Sequence, residues 1–240
     1  MPERYWWGAV LSIAVGAAMA VTAVLATSGS TKTATPVAVS PAQQADQAQR
    51  AMWRTKPVDQ VFPATVTLGS QYVRLGIADA AGCQVLPQDF LLELATDAPG
   101  TSCVKVLRAT YTDITQTVFA TVGVVVIGGD ASARDKVWRQ WTPDSAAKQP
   151  DTMPDVIPVP HTVAAGLTDT QRVAWDSQAS NDGSYVVYVV SAFGDGRVGS
   201  NDSELRTGLG KALVADSPPV QAASGLSQLF ANEFTDTEKG

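Results

Sequence analysis

The side chains that could do chemistry in this chain are few and spread out. His161 is the only histidine, between Pro160 and Thr162 in a stretch without periodicity. A histidine-based triad needs a nucleophile and an acid beside it. No G-x-S-x-G elbow, active-site cysteine signature or H-E-x-x-H is present. Carboxylates can act without a histidine, and Asp176, Asp182, Asp195 and Asp202 fall close together around one predicted hairpin. Their bland reading is solvated loop acids. Their chemical reading is a calcium site or a carboxylate-based hydrolase, although the spacing does not fit the D-x-[DN]-x-[DN]-G loop. No residue is assigned as catalytic, metal-ligating or cofactor-binding.

Gly194-Asp195-Gly196-Arg197-Val198-Gly199 matches G-x-G-x-x-G after a predicted strand. In a dinucleotide fold, such glycines admit a pyrophosphate at a helix N-terminus. Here no parallel strand follows, so a glycine-rich loop is the better reading. Trp53, Trp138, Trp141 and Trp175 suit a sugar-binding face or, more commonly, a core. Asn201-Asp202-Ser203 is a formal glycosylation sequon, which counts only in a eukaryotic secretory route. Cys83 and Cys103 are the only cysteines. They are expected to pair if the chain is exported; the alternative is two buried thiols.

Export is what the N-terminus implies. Trp6 to Thr27 is a run of 22 residues without a charge. At about 1.5 Å per residue a helix of that length crosses a hydrocarbon core of roughly 30 Å. Tyr5, Trp6 and Trp7 stand where amphipathic rings favour the headgroup layer. The run reads as a retained signal anchor, with residues 1–5 as a cytoplasmic tail and the rest extracytoplasmic. The rival is a secretory signal cleaved near Ala26. The formal net charge is −6, and Glu3 cancels Arg4, so the acidic excess lies beyond the run. That argues against nucleic-acid partners, which need a basic surface.

Residues 28–57, rich in Ala, Thr, Gln and Pro, read as a flexible tether, with Ala42–Trp53 able to form a short helix. The folded part is expected from Val58. Strands are predicted at Ala64–Leu68 and Tyr72–Ile77, and a helix at Pro87–Ala95. Cys103–Asp113 and Thr117–Ile127 form a predicted hairpin. Val118, Ala120, Val122, Val124 and Val126 share one face of its second strand, with Phe119, Thr121, Gly123 and Val125 on the other. Both faces are apolar enough to be covered. Asp130 reads as the N-cap of a helix reaching Trp141.

Thr142–Pro160 holds five prolines. It reads as a linker or as a long connection wrapped over the surface, with 146–160 as its Pro-rich heart. Gln171–Ser177 and Ser184–Ala192 make a second hairpin about the turn Asn181-Asp182-Gly183. Both of its strands are expected to be central. Ser203–Ala215 and Ala222–Phe234 close the chain as helices. The fold class is therefore α+β: an N-terminal transmembrane helix, a tether, then mixed or antiparallel sheet covered by helices. Residues 58–145 and 161–240 could be two related halves, or two ordinary hairpins in one sheet.

Val106 to Ala133 (VLRATYTDITQTVFATVGVVVIGGDASA), under an eighth of the chain, resembles the uncharacterised single-pass membrane proteins of actinobacteria with a small α+β ectodomain. The resemblance implies a location and an architecture but no activity. The resulting functional expectation is a non-enzymatic, membrane-anchored interaction module of an envelope or secretion-associated assembly. It would touch the bilayer through residues 6–27 and an envelope protein through its ectodomain. A ligand-binding sensor or carrier domain is the second reading, and a carboxylate-based hydrolase the third.

Overall fold

The two Val- and Thr-rich stretches become the middle of a sheet. In the computed structural model, which describes residues 40–141, 152–197 and 217–234, they form β3 (Ser102–Asp113) and β4 (Val118–Gly128). They pair antiparallel, with Arg108 opposite Gly123 and Thr110 opposite Thr121. The second hairpin supplies β5 (Arg172–Ala179) and β6 (Tyr185–Phe193). β6 lies beside β4, so both hairpins share one sheet. β1 (Thr65–Leu68) and β2 (Ser70–Ala81) complete the antiparallel order β1-β2-β3-β4-β6-β5. β6 is central, as its two-sided apolar pattern requires. β5, expected to be central too, is instead an edge strand.

Helices cover both faces. On the first, α5 (Pro218–Glu233) packs Leu226 and Phe230 against Val122, Val187 and Tyr111. The same cluster takes Met52 from α1 (Pro41–Thr55) and Val61 from the short α2 (Val58–Val61). α1 opens with a capping box, Ser40 Oγ accepting from the Gln43 N–H at 3.2 Å. Because Met52 is 3% exposed, the packed chain begins before Val58, inside the stretch read as tether.

On the second face lie α3 (Gln88–Asp97) and α4 (Ala131–Gln140). Asp130 caps α4 through its Oδ1, which accepts from the Ala133 N–H at 2.8 Å. Phe90, Val137, Trp141 and Trp175 pack here with Phe119 and Val125 of β4. Each face of β4 therefore carries the residues that its alternation assigns to it.

The Pro-rich chain that follows α4 is a strap. Its described part crosses the second face, with Val156, Ala164 and Leu167 in the core. At Ile157 both backbone groups are held by the registered threonine pair. Thr110 Oγ1 donates to the Ile157 carbonyl at 2.7 Å, and the Ile157 N–H donates to Thr121 Oγ1 at 2.9 Å. Two hydroxyls buried in a sheet face are thereby satisfied by an otherwise irregular segment. Cys83, in a 3-10 turn after β2, is disulfide-bonded to Cys103 at the start of β3.

Among the described residues no helix is long and apolar enough to cross a membrane. The apolar run 6–27, the tether before Ser40 and the helix expected at Ser203–Ala215 lie outside the described residues.

Candidate functional site

The acids singled out in the sequence are not brought together. Asp176 points from β5 into the first face, 8% exposed, and accepts from Ser227 Oγ at 2.6 Å. Asp182 closes the β5–β6 turn, its Oδ1 accepting from Ser180 Oγ and the Ser184 N–H at 2.7 and 3.0 Å. Asp195 lies past the other end of β6, where hydrogen bonds from Arg197 hold its carboxyl below the usual range. A strand of 9 residues, rising about 3.3 Å per residue, keeps Asp182 and Asp195 roughly 30 Å apart. Asp202 and the last two residues of the glycine motif lie outside the described residues. His161 sits exposed on a turn of the strap with φ of 63°. Among the described residues no group of three His, Cys, Asp or Glu could hold a metal ion. Trp141 and Trp175 are core residues at 4% and 5% exposure, whereas Trp138 is 46% exposed.

The more informative cluster is one that the sequence reading passed over. Pairing puts Arg108, Gly123, Tyr188 and Ser177 in one row across β3, β4, β6 and β5. Gly123 belongs there for a steric reason. A Cβ on it would lie 2.0 Å from Tyr188 Cζ, so the tyrosine ring rests over the glycine. Tyr188 is 1% exposed and makes an edge contact with Phe90, their centroids 6.1 Å apart. Phe90 also touches Trp141 and Trp175, at 5.1 and 6.2 Å. Ser177 ends the row by accepting from Trp141 Nε1 at 3.0 Å.

The row mixes charge with this aromatic packing. Arg108 is half-buried, and its Nε is shut off from solvent without a hydrogen-bond partner. None of the ion pairs formed by the described residues uses it. Trp175 Nε1 is a second buried donor without a partner on this face. Burial drives the Tyr188 hydroxyl far above its ordinary pKa, against a pull from Arg108 and with a push from Asp155.

Asp155 is on the strap. Burial first, and then the charge of Asp169, raise its pKa, while Arg172 and Arg108 act to lower it. Arg172 is committed to the strap: its Nη1 donates to the Met153 and Pro154 carbonyls at 2.7 and 3.1 Å and meets Asp155 at 3.4 Å. Beside these residues opens a cleft of about 390 Å³, lined by Gln84, Val85, Leu86, Pro87, Met153, Asp155 and Arg172. The arrangement suits binding. It sets charged side chains beside apolar walls.

A charged residue inside the strand pattern Val106-Leu107-Arg108-Ala109, and a glycine inside Val122-Gly123-Val124, are the signals that could have pointed here. No family model matches the chain, and no curated protein or solved structure shows significant similarity to it.

Proposed function

We propose that this protein is a membrane-anchored extracytoplasmic interaction module, without enzymatic activity, that binds another envelope protein. The observation that carries the reading is the charge-free run Trp6–Thr27 ahead of a separate compact unit, Val39–Gly240. A folded unit on a membrane leash gains effective concentration for partners at the same surface. The resemblance of Val106–Ala133 to actinobacterial single-pass proteins agrees with that placement, as does an acidic excess that disfavours nucleic acid. In the cleaved alternative the same unit is secreted.

Crosslinking in intact cells, followed by purification of the tagged full chain from solubilised membranes, tests the reading. One envelope protein should co-purify stoichiometrically, and Trp138→Ala, which removes an exposed aromatic ring, should weaken the association. Recovery of the chain from the soluble cytoplasmic fraction would refute it. The second reading, a ligand-binding sensor or carrier domain, is favoured by the cleft between Gln84–Pro87 and the strap.

A further inference from the structure

We propose that the strap-covered face holds a binding site for a small aliphatic carboxylate, with Arg108 and Tyr188 as its donors and the Val85–Leu86–Met153 cleft around its apolar body. The inference goes beyond the anchored-module reading and does not depend on it.

A guanidinium carries five donors and no acceptor. Burying part of it without a partner is unfavourable. Arg108 nevertheless sits in the middle of a six-stranded sheet with its Nε buried and unpartnered. The other arginine of this face, Arg172, spends its donors on strap carbonyls and the Asp169 carbonyl. Arg108 is thus the one guanidinium of the pair left to meet something from outside. Tyr188 lies across Gly123 from it and adds a hydroxyl within reach of its charge.

The ligand's charge follows from what surrounds the pair. Burial and then the neighbouring charge of Asp169 raise the pKa of Asp155. Two nearby acids repel a dianion such as phosphate more strongly than a monoanion. A single planar carboxylate matches one guanidinium fork. The cleft that Asp155 shares has Val85, Leu86, Pro87 and Met153 on its walls, which fit an aliphatic chain. Such a carboxylate could belong to a free small acid or to the C-terminus of a peptide.

Equilibrium dialysis of the full-length chain in detergent micelles tests this with five probes. These are N-acetyl-leucine, its amide, inorganic phosphate, and a hexapeptide ending in leucine with a free or amidated C-terminus. Saturable one-to-one uptake of a free carboxylate is expected, at least tenfold tighter than its amide or phosphate. Preference for N-acetyl-leucine would assign the site to small acids, and preference for the free-ended hexapeptide to chain termini. Arg108→Gln should weaken uptake at least tenfold while its urea midpoint stays equal or rises, since an unpaired buried charge is removed. Tyr188→Phe, which keeps the ring over Gly123, should weaken uptake about threefold and serves if Arg108→Gln fails to fold. No saturable uptake of either carboxylate, equal uptake of acid and amide, or undiminished binding in both variants would overturn the proposal.

Discussion

The two faces of the sheet are built to different standards. On the first, the two polar groups that enter the centre of the core are matched. Asp176 receives Ser227 Oγ at 2.6 Å, and Ser191 Oγ donates to the Pro219 carbonyl at 2.7 Å. Around them Phe62, Tyr111, Leu226 and Phe230 pack without exposed surface. On the second, the aromatic group around Phe90 is as well buried, yet Arg108 Nε and Trp175 Nε1 are left without partners. Each buried donor without an acceptor costs about 1–3 kcal/mol. The proposed carboxylate site would use that difference, one face holding the fold and the other also holding a ligand.

The largest effects should be equal on the two faces. Phe230→Ala on the first and Phe90→Ala on the second each empty a fully buried position, and each should cost about 3–5 kcal/mol in urea unfolding. A Phe90→Ala cost well below that of Phe230→Ala would show the second face to be loosely packed, and the comparison would fail at its base.

Gly183→Val comes next. Gly183 has φ of +65°, and a Cβ there would lie 1.9 Å from the Arg134 carbonyl oxygen of α4. Left-handed strain and a backbone clash together should cost about 2–4 kcal/mol. An unchanged urea midpoint would mean that the turn does not press on α4. Removing the disulfide by Cys83→Ala with Cys103→Ala should cost about 3 kcal/mol in the chain-entropy treatment of a 20-residue separation. Thiol titration of the denatured, unreduced wild-type chain should find no free thiol. Two reactive thiols would remove this staple from the second face.

Smaller effects sharpen the contrast. Ser227→Ala removes the shorter of two hydrogen bonds that Ser227 and Gln178 donate to the buried Asp176 carboxylate and should cost about 1–3 kcal/mol. A neutral result would break the claim that the first face depends on matched polar groups.

Asp113 gives the smallest effect, read as a pH dependence. Burial alone would raise its pKa, but donors from Thr115, Val118 and Thr117 outweigh it and hold the carboxyl below its ordinary value. The folded value is depressed, so the stabilisation is present above the unfolded value of about 3.9 and is lost as pH falls through the folded one. Asp113→Asn should therefore be less stable than wild type at pH 7 and should converge with it as pH falls through the folded value. Parallel curves would show that the turn does not need the charge.

What could be read from the sequence was set by local chemistry. β3, β4 and β6 announce themselves through runs of Val, Thr and Tyr, and the alternation along β4 assigned its two faces before any packing was known. Asp130 as a cap and Gly183 as a positive-φ turn residue follow from the side chain alone. α1 was faint because only Met52 and Trp53 near its C-terminal end pack on the core, while its first turns are Gln and Ala. β2 runs to Ala81, past the predicted Ile77, because its ladder with β3 is carried through small residues and two register shifts. The β4–β6 pairing joins segments far apart in the chain, which periodicity cannot report. Gly123 faces Arg108 within the predicted hairpin, but Tyr188 joins the row only through that long-range pairing, so it could not be placed beside the arginine from sequence.

The central claim concerns where this unit works, and protease accessibility tests it most directly. The full chain, tagged at its C-terminus, is expressed in cells that are then converted to intact spheroplasts and treated with proteinase K. The tag and the unit beginning at Val39 should be digested without lysis, while a cytoplasmic marker survives and an N-terminal fragment stays with the membrane. A tag that is lost only after the spheroplasts are broken would place the unit inside the cell and contradict the account.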